Sequence, residues 1–445
     1  MLRPHVVILG AGFGGTYVAK KLAAQVKKGK IDVTIVNKTN YFLFTPLLHE
    51  VATGSLSPMS VAEPLREVFV NTGIELCQGN VQEIDIASHR VHISSNGARH
   101  TLPYDYLVLA TGAVTNYYGI SGAEKYTFPL KTLADAVRIR TRIIDCFEEA
   151  IMAEDPAERA RLLSFVVIGG GPTGVETVAE LSEFVHGIVD RYYHNSDTCR
   201  HEEVKVTLIH AGTELLQTFS PSLRTATEKK LQSDGVILRL NSTVTNVTSH
   251  GLTLTSDKAV PKDSATTGDT ISSATIIWTA GVKPVIPDFV GVTPTLVKGR
   301  LVTDEFFRLN LSGEEKPKSS DEKNQSSEKL LGDERVFALG DIAGSLPMLA
   351  QASVQQASIV AHNVLASIDE KPLSKLEYLS RGSMVSVGQW FAVGEIFQKS
   401  YYGHWVWWLW RTVYLFKFAS WKKRVRIAFD WTLQIFSSRD ITKFS

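Results

Sequence analysis

An α/β fold with two open parallel sheets and a helical C-terminal module is what the sequence predicts. Three observations predict it. Two glycine-rich turns each stand between an apolar strand and a helix-like stretch. A third apolar strand, ERVFALGDIAG at 334–344, ends at a glycine beside an acid. The last 45 residues are basic and rich in tryptophan.

The first strand is HVVILG at 5–10, followed by the helix-like FGGTYVAKKLAAQV and a second strand, IDVTIVN, at 31–37. Strand, glycine turn, helix, strand is the opening of a doubly wound, Rossmann-like sheet. Between strand and helix, Gly10, Gly12 and Gly15 satisfy G-x-G-x-x-G, with Gly14 inside it. Gly10 allows the tight turn, Gly12 lets the backbone approach a pyrophosphate, and Gly15 permits close packing of helix on strand. The helix N-terminus then offers N–H groups to the phosphates. The competing reading is a glycine turn that binds nothing.

VHISSNGARHTLPYDYLVLATG reads as a hairpin around Asn96-Gly97 followed by a buried strand. The opening pattern then recurs about 160 residues on, as SFVVIGGGPTGVETVAELSEFV at 164–185 with EVKVTLIH at 203–210. Gly169, Gly171 and Gly174 take the three glycine roles. Two dinucleotide sites suggest a flavin exchanging electrons with a nicotinamide, because a second NAD site would serve no evident chemistry. Glu176 follows at once. It is either an acid favoured by the helix dipole or a carboxylate near the two redox rings.

The third strand lacks a fingerprint of its own, so the economical topology is nested. The expected division is a first domain part at 1–161, an inserted dinucleotide domain at 162–282, the second part of the first domain at 283–380, and a membrane-anchoring module at 381–445. Segments 256–273 and 312–329 are polar and read as exposed loops.

Composition limits the function. The chain has 445 residues, 44% of them hydrophobic and 21% charged, with net charge +1, as expected of a globular protein of two or three domains. Charge is unevenly placed: residues 401–445 carry +6 and the remainder −5. A basic, apolar tail points to anionic lipid; nucleic acid is not expected as a partner. Three separated cysteines, Cys77, Cys146 and Cys199, exclude an iron–sulfur ligand set and a CxxC dithiol. No metal site is expected. No signal peptide precedes the first strand, so the expected location of the catalytic body is the cytoplasm.

The motifs NYFLFTPLLHEVATG (40–54), IGGGPTGVE (168–176), ALGDIAG (338–344) and AQASVQQA (350–357) occur in that order. With the nested layout they closely resemble type II NADH:quinone oxidoreductases, single-chain flavoenzymes of respiratory membranes. The resemblance covers nearly the whole chain. It implies FAD, held non-covalently by Gly10, Gly12 and Gly15, with Asp341 on the ribityl hydroxyls and Thr45, Pro46 and Leu47 lining the isoalloxazine. Ala110, Thr111 and Gly112 look like a strand-end contact to FAD, and Thr279, Ala280 and Gly281 like its counterpart after the inserted domain. Gly169, Gly171, Gly174 and Glu176 would serve NADH or NADPH. Gln351 and Gln355, four apart on one helix face, would meet the flavin–quinone boundary; their other reading is a solvated face.

Two positions depart from the family. The ribose-binding acid expected after each second strand is replaced by Asn37 in the first unit and by His210 in the second. An acid there selects NADH by pairing with the ribose 2′-OH and repelling a 2′-phosphate, so His210 opens the site to NADPH unless neighbours supply the selection.

The tail decides how the protein meets a membrane. Residues 401–420 could just cross ~30 Å of hydrocarbon at 1.5 Å per residue. Arg411 at the midpoint would cost about 2.5–3.5 kcal/mol, which disfavours spanning. Residues 421–436 instead form an amphipathic helix, with Lys422, Lys423, Arg426, Asp430 and Gln434 on one arc, where Leu433 intrudes, and Trp421, Val425, Ile427, Ala428, Phe429, Trp431, Ile435 and Phe436 on the other, where Arg424 is the exception. The expectation is a peripheral protein on the cytoplasmic face of the inner or plasma membrane, reducing a quinone of ubiquinone or menaquinone type without pumping protons. A helix packed on its own body, or on a second copy in a homodimer, is the alternative. Three rivals remain for the whole chain. A sulfide:quinone oxidoreductase needs cysteines near the flavin, and none follows Cys199. A soluble reductase of a protein electron carrier leaves the tail unexplained. A non-enzymatic membrane-bound redox sensor would show no steady turnover.

Overall fold

The computed structural model describes residues 3–193, 199–256, 268–312, 332–344, 346–380, 382–418, 421–436 and 439–443. The chain forms two compact units, one from residues 1–42, 63–114 and 282–379, the other from 43–62, 115–281 and 380–445.

The first unit is built on a seven-stranded sheet in the order Thr293–Pro294, Arg308–Ser312, Gly332–Ala338, Tyr106–Leu109, His5–Leu9, Asp32–Asn37, Glu75–Gln78. The five strands from Gly332–Ala338 to Glu75–Gln78 run parallel. Parallel strands are covered on both faces, which is why their sequences are continuous apolar runs without alternation. Val6, Val7, Ile8 and Leu9 are all fully buried. The helix Phe13–Lys27 starts directly after the glycine turn and packs with Ala350–Ile368. The hairpin Arg90–Ser95 and Ala98–Pro103 turns at Asn96 and Gly97, with φ of 50° and 80°, the two left-handed residues that a tight hairpin requires.

The second unit holds a five-stranded parallel sheet in the order Phe128–Pro129, Thr275–Trp278, Ser164–Ile168, Lys205–Ile209, Val236–Arg239. Its fingerprint helix is Pro172–Ile188. A three-stranded antiparallel sheet follows, Ser242–Thr248, Gly251–Ser256 and Asp269–Ser272. The last strand corrects the reading of 256–273 as one loop: a polar strand paired along one edge gives no apolar signal. Segment 313–329, read as a loop, lies outside the described residues.

Near the C-terminal end of this unit lie a meander, Ser383–Ser386, Ala392–Ile396 and Lys399–Gly403, and two helices, His404–Lys417 and Trp421–Phe436. Among the described residues no helix is long and apolar enough to cross a membrane. The first of these helices has 14 residues, a rise of about 21 Å, and ends at Phe418, whose backbone is extended.

Both helices are built into the second unit. Val406, Trp407, Trp410, Phe418, Ile427 and Trp431 are buried, as is Arg411. Asp430 accepts from Ser60 Oγ at 2.7 Å and Lys423 donates to the Met59 carbonyl, so these two face inward and not onto the solvent arc expected of them. What the second helix leaves outside is a stripe at four-residue spacing. Trp421 is 69% exposed, Val425 59%, Phe429 61% and Leu433 46%.

Candidate active site

Each fingerprint turn forms a cradle in its own unit, and the two are built alike. A Cβ on Gly15 would come within 1.9 Å of the Gly10 carbonyl oxygen, and one on Gly174 within 1.7 Å of Gly169's. The helix therefore lies on the turn as closely as backbone allows, and only glycine fits. The opposite holds at Gly12 and Gly171, where an added Cβ would meet nothing within 4 Å. These two residues are the N-caps of their helices, and no side chain caps either one. An uncapped helix start beside open space suits a diphosphate, which supplies the missing acceptor and favours the positive end of the dipole. The residues present fit a bound dinucleotide in each unit.

In the first unit, Asn37 closes the cradle, its Oδ1 accepting the Ala11 N–H at 3.0 Å. Ala110, Thr111 and Gly112 follow the strand Tyr106–Leu109, and Thr111 Oγ1 donates to the Val285 carbonyl. Asp341 sits in the single turn Gly340–Ile342 after the third apolar strand. The Gly340 N–H of that turn donates to Gln356 Oε1 at 2.7 Å. Gln356 is buried and went unnoticed in the sequence, since the helical spacing of Gln351 and Gln355 drew attention to the neighbouring face. Those two glutamines are half-buried and both donate to the Leu379 carbonyl, Gln355 at 2.9 Å and Gln351 at 3.4 Å. Gln355 also accepts the Leu379 N–H at 3.1 Å.

In the second unit, Thr45, Pro46 and Leu47 form a short turn that runs into the helix Leu48–Ala52. Ala280 and Gly281 follow the strand Thr275–Trp278, and the Ala280 carbonyl accepts from Tyr118 Oη at 3.0 Å. Glu176 stands in the second turn of its helix, because the helix begins at Pro172. It is buried. Its Oε1 accepts the Ser386 N–H at 3.3 Å, and its Oε2 lies 3.9 Å from His49 Nδ1. Burial disfavours the charged form of both residues. Burial pushes the Glu176 carboxyl well above its usual range and brings His49 down to about 4.

Around this pair the helices Leu48–Ala52, Pro172–Ile188 and His404–Lys417 bring together residues that lie far apart along the chain. Glu50 Oε2 accepts from Trp431 Nε1 at 2.7 Å. Arg439 Nη2 lies 2.7 Å from Glu180 Oε2 and 2.9 Å from Glu183 Oε2. The Arg411 guanidinium is stacked 3.9 Å from the Trp407 ring centroid and 4.8 Å from that of Trp431. A cavity of about 30 Å³, room for roughly one water, is lined by Glu180, Gln389, Arg411 and Arg439. Burial raises Glu50 and Glu183 to about 7 each. Arg411, which argued against a membrane span, is an internal counter-charge to these acids.

Similarity to known proteins agrees with this layout. Residues 4–313 match the profile of the pyridine nucleotide-disulphide oxidoreductase family, and residues 380–440 match the NDH2 C-terminal domain. The chain is 31% identical over 443 residues to the type II NADH:quinone oxidoreductase Ndh of Mycobacterium tuberculosis, covering 98% of this chain and 89% of that one. It is 34% identical to the external alternative NAD(P)H-ubiquinone oxidoreductase B2, mitochondrial, of Arabidopsis thaliana, over 77% of this chain and 54% of that protein. In fold it matches NDH2 from Plasmodium falciparum in complex with NADH, with a TM-score of 0.85, 21% identity, and 99% and 100% of the two chains covered. The sulfide:quinone oxidoreductase of Aquifex aeolicus is also similar in fold, with a TM-score of 0.68 and 18% identity over 98% and 96% of the chains. The two cradles and the first profile define a pyridine-nucleotide flavoprotein class. Within it, the chain belongs to the type II NADH:quinone oxidoreductase family.

Proposed function

We propose that this chain carries electrons from NAD(P)H through non-covalently bound FAD to a membrane quinone, of ubiquinone or menaquinone type, without pumping protons. The observation that carries this is the duplicated cradle, an uncapped helix start beside a glycine whose Cβ would project into open space, once in each unit. Bound FAD supplies the change from hydride chemistry at the nicotinamide to two-electron delivery at the quinone.

The chain's own residues bind, orient and shield. Gly10, Gly12, Gly14 and Gly15 receive the FAD diphosphate, Asn37 stands at the adenosine ribose, and Asp341 takes the ribityl hydroxyls. The flavin-contact roles that the family resemblance implies fall to Thr45, Pro46, Leu47, Ala280 and Gly281 of the second unit and, separately, to Ala110, Thr111 and Gly112 of the first. Gly169, Gly171 and Gly174 hold the nicotinamide nucleotide. Glu176, whose carboxyl burial pushes well above its usual range, orients the nicotinamide. Gln351 and Gln355 stand at the quinone boundary. The functional division remains 1–161 and 283–380 for FAD, 162–282 for the nucleotide and 381–445 for the membrane.

The exposed stripe at Trp421, Val425, Phe429 and Leu433, beside Lys422 and Arg426, supports peripheral binding to anionic lipid at the cytoplasmic face of the inner or plasma membrane. A homodimer formed through the same stripe is the second reading of that surface. Anaerobic addition of NADH to purified protein tests the activity. The flavin absorbance should bleach and then recover on adding quinone. Absence of bleaching overturns the assignment.

A further inference from the structure

Residues 116–118 are stitched to the end of the strand Thr275–Trp278 in the second unit. The Asn116 N–H donates to the Gly281 carbonyl at 3.0 Å, and the Trp278 indole N–H donates to the Asn116 carbonyl at 2.9 Å. Tyr117 packs on the Trp278 ring, with 5.6 Å between centroids. Tyr118 donates its hydroxyl to the Ala280 carbonyl at 3.0 Å, yet the residue is 61% exposed. Its ring is latched at the polar end and otherwise largely open to solvent.

Holding the ring there strains the backbone. Tyr118 and Gly119 have φ of 53° and 70°, and across them the Ile120 N–H donates to the Tyr117 carbonyl at 3.0 Å. Two left-handed residues in succession make a tight turn that favours asparagine, aspartate or glycine, and a bulky aromatic residue is costly in it. Gly281 carries a matching constraint. Its φ is 144°, and an added Cβ would collide with the Tyr118 hydroxyl, so only glycine leaves room for the latch. A strained residue whose ring stays exposed is not explained by packing, and strain of this kind gathers where ligands are held.

The latch stands beside the second cradle. Thr279 lies against the fingerprint turn, its Oγ1 2.8 Å from a Cβ built on Gly169 and 2.9 Å from one built on Gly174. A dinucleotide crossing this turn puts its adenosine half at the end of Lys205–Ile209, where His210 accepts the Gly170 N–H on Nδ1 at 3.2 Å. The other half then extends to the opposite side of the central strand Ser164–Ile168, over the end of Thr275–Trp278. Residues 279–281 stand there, with the tyrosine latched onto them. An aromatic face takes a flat heteroaromatic ring by stacking, and takes a cationic one more strongly. We infer that Tyr118 flanks the nicotinamide ring, binding it by stacking while its hydroxyl, tied to Ala280, holds the aromatic face in position. This rests on the assignment of the second cradle to the nicotinamide nucleotide. The same stretch carries a flavin-contact role, as hydride transfer between two rings requires.

The test is titration calorimetry of full-length, FAD-loaded protein with NAD+ and with ADP-ribose, which lacks the nicotinamide; neither probe reduces the flavin. Tyr118→Asn removes the ring and suits the left-handed backbone, so its melting temperature should match or exceed that of wild type. Its affinity for NAD+ should nevertheless fall by about tenfold or more relative to ADP-ribose. Tyr118→Phe, which keeps the ring, should hold the wild-type ratio within about threefold. Failure of wild-type protein to bind ADP-ribose overturns the nucleotide assignment itself. An unchanged ratio in Tyr118→Asn, whether both affinities are kept or both fall together, overturns only the inference. A ratio lost equally in Tyr118→Phe overturns the stacking role. A crystal structure of the wild-type NAD+ complex decides the point independently of any variant's folding: a nicotinamide ring out of contact with Tyr118 also sinks it.

Discussion

Trp431 donates its indole N–H to the Glu50 carboxylate at 2.7 Å, joining the second C-terminal helix to the helix that follows Thr45, Pro46 and Leu47. Glu50 is fully enclosed; the charged groups acting on it are Arg411, Glu180 and Arg439, and it in turn acts on Glu176. Its pKa of about 7 lies above the ordinary 4.5, chiefly through burial. The folded state therefore holds a proton there that the unfolded chain has released. Stability from this group is complete below about 4.5 and is lost as pH rises through about 7. Glu183 acts with the same sign, and His49, lowered to about 4, with the opposite one. Glu50→Gln isolates the Glu50 share while keeping an acceptor for Trp431. Its stability relative to wild type should climb between pH 5 and 7, by at most about 1.4 kcal/mol per pH unit, and then level off. Urea unfolding at a series of pH values measures this, and a flat difference would remove Glu50 as a titrating group.

The glycines of one turn should separate binding from folding. A Cβ at Gly12 would meet nothing within 4 Å and the backbone there is extended, so Gly12→Val should fold normally yet block the diphosphate. Purified Gly12→Val should be colourless with an unchanged circular dichroism spectrum. Gly15→Ala drives a methyl group into the Gly10 carbonyl, and should cost at least about 1–3 kcal/mol whether or not flavin is added. Stoichiometric flavin in Gly12→Val would show that the first cradle is not the diphosphate site.

Much of the fold was legible because its strands are buried on both faces. Runs such as VVIL and FVVI, each followed by glycines, announce a parallel sheet without any long-range information. The Asn96-Gly97 hairpin was equally local. The cluster around Glu176 was not. Glu50, Glu180, Arg411 and Arg439 come from four distant stretches, and each alone looks like a solvated helix charge. Only the tertiary arrangement makes them one buried network. The C-terminal helix was half legible for a related reason. Its wheel is amphipathic, but periodicity does not say that Ile427 and Trp431 face the protein while Phe429 faces out.

Glu176 should affect flavin reduction more than folding, provided its hydrogen bond is kept. Truncation to alanine would strand the Ser386 N–H and open a hole, so glutamine is the informative change. Glu176→Gln should retain full FAD content and a melting temperature close to wild type. Stopped-flow bleaching by NADH should slow by tenfold or more, equivalent to about 1.4 kcal/mol of barrier. Normal bleaching would reduce Glu176 to a structural partner of Ser386.

The exposed stripe on the last helix carries the remaining prediction. Deleting the whole tail would remove Trp407, Trp410, Phe418, Ile427 and Trp431 from the core, so a deletion would report on folding and not on docking. Substituting Trp421, Val425 and Phe429 together by serine leaves those buried residues in place. Each apolar side chain inserted into lipid contributes about 1.5–3 kcal/mol. The triple variant should therefore bind vesicles at least a hundredfold more weakly, while still bleaching with NADH and reducing a small water-soluble acceptor. Reduction of a long-chain quinone embedded in the vesicles should fall in parallel with binding. For the wild type, binding should strengthen with anionic lipid and weaken with salt, since each basic residue near such a surface contributes about 1 kcal/mol. High salt should not release it fully, because the apolar contribution is not screened. If the triple variant co-sediments with vesicles and turns over embedded quinone as well as wild type does, the stripe is not the docking face. Sedimentation velocity would then test it as the contact between two copies.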